Sequence, residues 1–165
     1  KFKNIKLTIS IDGHKELNER IRRESDWELL KSNIQLCKDN LDNLDVIKGT
    51  TCISGMNAAE LGKTAEAIVF ELGIHWHTSR LQWPDFLHAN VLHPTELKKG
   101  IDGLKGLFDS LNRHDRRNTP RRFMLETHIN GAISWLETAI ENNQHEEKYE
   151  QYSKFNNKLD EVDES

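Results

Sequence analysis

Two amphipathic patterns in the second half of the chain constrain its fold more than any other feature. Apolar side chains recur every three or four residues from Pro94 to Leu111 and again from Pro120 to Ile140, which predicts two helices with one apolar face each. Proline is common in the first turn of a helix, and Thr119 is a good N-cap for the second helix. Because the connection between the two helices is short, we expect them to form an antiparallel hairpin.

Three glycines, Gly100, Gly103 and Gly106, lie at intervals of three residues in the first of these helices. Glycine costs about 1 kcal/mol relative to alanine inside a helix. Three such residues at this spacing therefore predict that another backbone packs closely against the helix. A second subunit of the same protein is one candidate for that backbone.

The N-terminal region adds a small β element. Residues 5–12 alternate between apolar and polar side chains, which is typical of a half-buried strand. The apolar members are Ile5, Leu7, Ile9 and Ile11. A single strand cannot satisfy its own backbone hydrogen bonds, so we expect it to pair with residues 46–53 or with a strand of another chain.

Helical patterns fill most of the remaining N-terminal region. One extends from His14 to Leu44, with a break near Ser25 where Asp26 can cap a second segment, and another covers residues 56–72. We therefore predict a mainly α fold: a helical bundle or antiparallel helix hairpin with a small N-terminal β element. The predicted segments are a strand-plus-helices region at 1–93, the helical hairpin at 94–144 and an acidic tail at 145–165, which we expect to be a fraying helix end followed by a solvated segment.

Composition narrows the class of protein. The 165 residues, of which 36% are hydrophobic and 30% charged, suit one globular domain. No apolar run approaches the length of a membrane span, and no signal-like segment follows Lys1, so we expect no membrane partner. The two cysteines, Cys37 and Cys52, form no CxxC pair, which favours free thiols and a cytoplasmic location.

The segment 113–122, RHDRRNTPRR, is the most basic window of the chain. Its five arginines are Arg113, Arg116, Arg117, Arg121 and Arg122. Arg121 and Arg122 fall in the first turn of the second helix, where the helix dipole favours acidic side chains. A bound anion would remove this repulsion, because backbone N–H groups and guanidinium groups both bind phosphate oxygens. The segment therefore predicts a phosphate-binding site, with a solvated turn or ion pairs to Asp109 and Glu126 as the alternatives.

Four histidines are concentrated in a stretch without helical or strand periodicity. They are His75, His77, His88 and His93, and Asp85 is the only acidic residue among them. Their spacing matches no zinc site. We therefore expect residues 74–93 to be a packed connection with one short helix near 85–91 rather than a metal site.

Arg122 and His128 fit the short pattern of HEPN ribonucleases, which are helical bundles. In those enzymes the arginine holds the scissile phosphate and the histidine acts in general acid–base chemistry. The sequence contains no Ser-His-Asp, paired-carboxylate or P-loop signature. We therefore favour a non-enzymatic protein without a cofactor, and a HEPN-like ribonuclease is the first alternative.

Residues 94–141 resemble the helical hairpin of phage anti-CBASS and anti-Thoeris proteins, which sequester cyclic nucleotide signals. The resemblance rests on the segments ELKKGIDGLKGLFDSL and RRFMLETHINGAISWLETAI, on the Asp115-Arg116 pair before the second helix and on Thr127-His128. The second segment closes with Leu136, Ala139 and Ile140 at the spacing of that family. The match covers less than a third of the chain.

This resemblance implies a homo-oligomer that holds a cyclic di- or trinucleotide between its subunits without cleaving it, in the cytoplasm of an infected host. The residues that it implies in ligand binding are Arg116, Arg117, Arg121, Arg122, Thr127 and His128. A duplex nucleic acid is not an expected partner, because the chain has a net charge of -4 and duplex binding favours a broad basic surface. A protein–protein inhibitor or scaffold without a small ligand is the second alternative.

Overall fold

The computed structural model describes residues 3–114 and 119–163, and this part of the protein is mainly helical, as predicted. Three strands form one sheet: β1 (Ile5–Ser10), β2 (Leu44–Ile53) and β3 (His75–Arg80). The helices are α1 (Glu16–Ile21), α2 (Trp27–Asn40), α3 (Leu61–Glu66), α4 (Pro94–His114), α5 (Pro120–Glu141) and α6 (His145–Asp163). A π-helical turn, Ala67–Glu71, continues α3. None of the described helices is long and apolar enough to cross a membrane.

The sheet has the order β1-β2-β3, and both strand pairs are parallel. Strand β1 lies within the predicted strand at 5–12, and its partner β2 includes residues 46–53. The small N-terminal β element that we expected is instead a sheet whose strands are distributed over residues 5–80. Its third strand, β3, lies in the segment 74–93, so the expectation of a connection without a strand was wrong there. Two 3-10 turns, Asp85–Leu87 and Ala89–Val91, replace the short helix expected near 85–91.

The two faces of the sheet differ in burial. Buried side chains on the covered face include Ile47, Thr51, Ile53 and Trp76, and the π-helical turn packs here through Ile68. The other face, which we call the open face, has no fully buried side chain. Its members are Lys6, Thr8 and Ser10 of β1, Val46, Lys48, Thr50 and Cys52 of β2, and His75, His77 and Ser79 of β3.

The break predicted near Ser25 separates α1 from α2. The Asp26 side chain accepts a hydrogen bond from the backbone N–H of Leu29 at 2.7 Å and caps α2. Trp27, the first residue of α2, is buried and donates its indole N–H to Glu71 at 3.0 Å. The sequence therefore located this helix start correctly.

The glycines of α4 do meet another backbone, and that backbone belongs to the same chain. A Cβ atom on Gly100 would collide with the carbonyl oxygen of Ala58, and one on Gly103 would lie 3.2 Å from the Cα atom of Gly62. A Cβ atom on Gly106 would meet nothing within 4 Å. The close approach thus joins α4 to α3 and to the turn before it, and Gly100 and Gly103 are not available for a subunit contact.

Helix α6 corrects the expectation of a solvated tail at 145–165. Tyr152 is buried and donates its hydroxyl to the carbonyl oxygen of Gly55 at 3.0 Å. Near the carboxyl end of the helix, Arg20 of α1 donates to both carboxylate oxygens of Asp160 at 2.7 and 3.1 Å. These contacts hold the acidic segment against the body of the protein at the middle of α6 and near its carboxyl end.

Candidate anion-binding site

The first turn of α5 is capped as the sequence predicted. The Thr119 hydroxyl accepts a hydrogen bond from the backbone N–H of Arg122 at 3.2 Å, and Pro120 opens the helix. No acidic side chain lies in this turn, so no residue of the turn itself complements the positive end of the helix dipole. Arg116 and Arg117, which we also expected at the site, lie outside the described residues.

Arg122 has protein partners. Its Nε atom donates to a carboxylate oxygen of Glu126 at 2.7 Å, and a terminal nitrogen donates to the side-chain oxygen of Asn112. The side chain is only 14% exposed. The ion-pair alternative therefore describes Arg122, and its guanidinium group contributes to packing between α4 and α5.

Arg121 is in a different environment, although it is the adjacent residue. Its side chain is exposed and has no hydrogen-bond or ion-pair partner among the described residues. It lines a cavity of about 180 Å³ at the amino ends of β2 and β3, together with Lys38, Asp45 and His75. Lys38 donates to the backbone carbonyl oxygen of Leu72 at 2.7 Å. Arg121 is therefore the arginine of this turn that is available to a ligand.

Among residues 3–114 and 119–163, Asp45 is the only acidic residue that lines this cavity. One of its carboxylate oxygens lies 3.5 Å from the ammonium nitrogen of Lys6, and both side chains are well exposed. A surface ion pair of this kind contributes little to stability, but it does offset the negative charge of Asp45. The cavity thus combines a guanidinium group that has no partner in the described part of the chain with a carboxylate that already has a cationic neighbour.

A second group of basic side chains lies next to this cavity, where α5 runs beside β3. The rings of His77 and His128 are 4.3 Å apart, and His128 Nδ1 lies 3.5 Å from the hydroxyl of Thr78. Lys48, on the neighbouring strand, is opposite His75 in the register. Together with Arg121 and His75, these side chains form a basic surface that we call the β3–α5 groove.

Burial, and to a smaller extent the neighbouring positive charges, lowers the pKa values of the three histidines in the β3–α5 groove. Burial lowers the pKa of His75, and the Arg121 guanidinium lowers it further. Burial also lowers the pKa of His77, with additional effects from His128, Lys48 and His75. The pKa of His128 is lowered by burial and by Lys48. All three imidazoles are therefore harder to protonate than free histidine, and an anion in the groove would oppose this effect.

An apolar strip lies beside the histidines of β3 in the β3–α5 groove. It is formed by Val69, Trp76, Met124 and Leu125, which line a small cavity together with His75, His77 and Arg121. Met124 is 43% exposed, whereas Leu125 is buried. The groove consequently combines basic side chains with an exposed methionine.

The structure separates several residues that the sequence grouped. Thr127 donates its hydroxyl to the backbone carbonyl of Phe123 at 2.9 Å and lines neither of the cavities beside Arg121. Arg122 contacts α4, whereas His128 contacts β3, so this pair does not converge on one phosphate as the HEPN pattern requires. Of the predicted ligand-binding residues, the structure brings Arg121 and His128 to the same groove.

The four clustered histidines are also dispersed. His77 contacts His128 of α5, and His93 lies 5.4 Å from the ring of His145 of α6. Within residues 3–114 and 119–163, no group of three or more His, Cys, Asp or Glu side chains has the arrangement needed to hold a metal ion. The histidines of β3 instead belong to the β3–α5 groove.

Sequence analysis missed Lys48, His75 and His77 as members of the site. The two histidines lie on β3, which was not recognised as a strand, and Lys48 joins them only through the pairing of β2 with β3. The alternation His75-Trp76-His77 was the available signal, because a strand with one buried tryptophan directs both flanking histidines to the opposite face.

Comparisons with known proteins add no family to this description. No family model, no curated protein and no solved structure matches the chain at a significant level. The interpretation of the β3–α5 groove therefore depends on its geometry and charge. The resemblance of residues 94–141 to cyclic-nucleotide-sequestering proteins is a prediction from sequence alone.

Proposed function

We propose that the protein binds a phosphate-bearing signalling nucleotide in the β3–α5 groove and sequesters it without chemical change. The observation that carries this proposal is the environment of Arg121. Its guanidinium group has no described partner and shares a cavity with His75, next to a helix N-terminus without acidic residues. A phosphate group would supply the missing negative charge. Its charge-assisted hydrogen bond with the guanidinium group would contribute about 1.5–3 kcal/mol to binding.

The size of the cavity indicates how much of a nucleotide it would hold. Its volume of about 180 Å³ is smaller than the roughly 300–1,000 Å³ of pockets that enclose a drug-sized ligand. We infer that the phosphate enters the cavity and that the sugar and base lie outside, against the apolar strip or the open face. This arrangement favours a ligand recognised mainly through its phosphates.

Sequestration is favoured over cleavage by the separation of Arg122 from His128. A ribonuclease of the HEPN type requires both side chains at one scissile phosphate, whereas here they contact opposite neighbours of α5. The cyclic di- or trinucleotide and the homo-oligomer implied by the resemblance are part of this proposal. In that assembly, the exposed part of a nucleotide on one subunit would be available to a second subunit.

Arg121→Ala and Arg122→Ala form a matched pair for testing this proposal. Isothermal titration calorimetry against a panel of cyclic di- and trinucleotides should show binding to the wild-type protein. Arg121→Ala should weaken it roughly 10- to 100-fold, as expected from the loss of one charge-assisted hydrogen bond. Arg122→Ala should change the affinity less than threefold, because Arg122 already binds Glu126 and Asn112.

Arg80→Ala is the control for a general loss of positive charge, since Arg80 is exposed at the opposite end of β3. Heat denaturation of the complex should release the ligand intact, as measured by liquid chromatography. A wild-type protein that binds none of the nucleotides would contradict the proposal. So would release of a hydrolysed ligand, which would point to an enzyme instead.

A further inference from the structure

We propose that the free edge of β1 pairs in antiparallel orientation with β1 of a second copy of the chain, so that two three-stranded sheets join into one continuous sheet. This interface lies at the edge of the sheet opposite β3 and α5, and it does not depend on nucleotide binding. The contact would be isologous, which means that the same residues of both copies meet across a two-fold axis.

The backbone groups of alternate residues in β1 point away from the sheet. The backbone N–H of Ile11 donates to the carbonyl oxygen of Thr50 at 3.0 Å, so the odd-numbered residues from 5 to 11 form the hydrogen bonds with β2. The N–H and carbonyl groups of the residues between them face the opposite side. In the described part of the chain, no hydrogen-bond partner lies on that side for the backbone groups of Lys6, Thr8 and Ser10.

The other edge of the sheet is covered by α5. His128 of this helix contacts both His77 and Thr78 of β3. Because successive residues of a strand face opposite sides of the sheet, a helix that contacts both side chains lies along the edge between them. A helix in this position protects an edge strand from pairing with another strand.

The edge at β1 has little protection of this kind. Edge strands commonly avoid pairing through proline or through charged side chains. Residues 5–10 contain no proline, and their one charged residue is Lys6. The ammonium nitrogen of Lys6 lies 3.5 Å from a carboxylate oxygen of Asp45 on β2, which offsets its charge. The exposed backbone groups of β1 are thus able to accept a further strand.

The sequence of β1 is complementary to itself in the antiparallel orientation. When Thr8 lies on the two-fold axis, it pairs with Thr8 of the partner subunit, and Lys6 pairs with Ser10 of the partner subunit. Every outward N–H and carbonyl group of the strand then has a partner. No like charges lie directly opposite each other, an arrangement that would destabilise the pair.

The apolar side chains of β1 would become more buried in the same contact. Leu7 and Ile9 face the core but are only partly buried, whereas Ile47 and Ile53 of the inner strand β2 are buried. In the proposed register, Leu7 lies opposite Ile9 of the partner subunit, at a non-hydrogen-bonded position where side chains approach most closely. The removal of this apolar surface from water favours association.

The assembly would close at two copies. Pairing of β1 with its counterpart uses the unprotected edge of both sheets. The outer edges of the joined sheet are then the two β3 strands, each covered by α5. The contact therefore predicts a dimer rather than a filament, because an isologous interface is satisfied by one partner.

Cysteine cross-linking tests the register. In a hydrogen-bonded antiparallel pair the Cα atoms are about 5.5 Å apart, which a disulfide bond can span. Thr8→Cys should therefore form a cross-linked dimer on oxidation, as measured on a non-reducing gel. Lys6→Cys is the matched control, because the two copies of residue 6 would be roughly 13 Å apart along the strands. It should cross-link no more than the wild-type protein, which retains Cys37 and Cys52.

Sedimentation equilibrium tests the backbone pairing. The wild-type protein should form a concentration-dependent dimer, with a Kd in the micromolar range that is typical of small interfaces. Thr8→Pro removes one outward N–H, and proline is tolerated where the N–H of an edge strand faces solvent. It should raise the Kd of the dimer about tenfold or more and leave the circular dichroism spectrum unchanged. Thr8→Val, which keeps the N–H, should leave the Kd unchanged.

Thr8→Lys is a second variant in case Thr8→Pro fails to fold. It places two lysines opposite each other on the two-fold axis and should also weaken the dimer. The same substitution on the inner strand, Thr50→Lys, should leave the Kd unchanged. A wild-type protein that is monomeric at all concentrations, equal cross-linking of the two cysteine variants, or a dimer that resists both Thr8→Pro and Thr8→Lys would overturn the inference. Calorimetry with cyclic nucleotides tests binding in the β3–α5 groove separately, so the failure of one proposal is distinguishable from the failure of the other.

Discussion

The covered face and the open face of the sheet differ in whether their polar side chains have partners within the protein. On the covered face, the buried Thr51 hydroxyl donates to the carbonyl oxygen of Ile11 at 2.7 Å and accepts from the indole N–H of Trp76 at 2.9 Å. Beside the open face, Lys48 and Arg121 have no hydrogen-bond or ion-pair partner among the described residues. The Thr51 hydroxyl on the covered face therefore helps to complete the fold, whereas Lys48 and Arg121 are available to an external partner.

This difference predicts that mutations on the covered side and mutations in the β3–α5 groove change different quantities. A buried donor that loses its acceptor destabilises the folded protein by about 1–3 kcal/mol. A partly exposed cation that has no partner contributes little to the free energy of unfolding, and its removal should mainly affect ligand affinity. Changes on the covered side should thus lower stability, and changes in the β3–α5 groove should lower binding.

The largest effect is expected from Gly100→Ala on the covered side. The new methyl group would collide with the carbonyl oxygen of Ala58, and relief of the collision requires α4 to move away from the backbone packed against it. We expect the free energy of unfolding to fall by about 3 kcal/mol, as for overpacked cores. Urea denaturation followed by circular dichroism would measure it.

Gly106→Ala is the matched control for Gly100→Ala. It lies in the same helix, and its new Cβ atom would meet nothing within 4 Å. The free energy of unfolding should therefore rise by up to about 1 kcal/mol, because alanine is the better helix former. Equal destabilisation by both substitutions would show that the contact between α3 and α4 is not as close as described.

A smaller loss of stability is expected from Glu71→Ala, also on the covered side. The Glu71 carboxylate accepts hydrogen bonds from the Trp27 indole at 3.0 Å and from Lys31 at 3.2 Å, and it lies 3.1 Å from His14 Nε2. Its removal leaves the Trp27 N–H without an acceptor, and we expect a loss of about 2 kcal/mol. The exposed Glu66 provides the control Glu66→Ala, which should change stability by less than about 0.5 kcal/mol.

The same carboxylate predicts part of the acid sensitivity of the protein. These hydrogen bonds, the one from Trp27 foremost, lower the pKa of Glu71 from 4.5 to about 2. The unfolded chain therefore binds more protons than the folded protein between these values, and the stabilisation is lost as the pH falls from 4.5 towards 2. Urea denaturation between pH 5 and 3 should show a weaker pH dependence in Glu71→Ala than in the wild-type protein.

The smallest effect on stability is expected from the histidines of the β3–α5 groove. Their folded pKa values are lowered from 6.5, so the unfolded chain binds more protons and stability falls as the pH drops below 6.5. The variant His75→Gln/His77→Gln/His128→Gln should lose part of this dependence between pH 7 and 5.5. Added phosphate should stabilise the wild-type protein more at pH 5.5 than at pH 7.5, as measured by thermal denaturation. Equal stabilisation at both values would show that these imidazoles do not face the bound anion.

Local signals in the sequence predicted much of the fold. Alternation identified β1, Asp26 identified the start of α2, and the glycine spacing identified a close backbone contact of α4. Strand β3 was missed because Trp76 is its only fully buried member, which leaves no apolar repeat to detect. The docking of α6 was missed because its contacts with Gly55 and Arg20 join residues far apart in the sequence.

The site could be predicted only in part for a similar reason. The basic composition of residues 113–122 identified the start of α5 as part of the candidate site, but it could not distinguish Arg121 from Arg122. Successive residues project about 100° apart around a helix, so one arginine faces α4 and the other faces β3. Which of them is available depends on the neighbouring elements, and that information is not present in the local pattern.

The ion pair between Arg20 and Asp160 has a consequence for the synthesis of the protein. These residues are 140 positions apart, so α1 acquires this contact only after residue 160 has left the ribosome. Contacts between distant positions also slow folding, because the intervening chain must lose entropy before they form. A ribosome stalled before residue 160 would thus hold a nascent chain whose first helix still lacks this partner, and a protease added at that stage should cut near Arg20 faster than in the released protein.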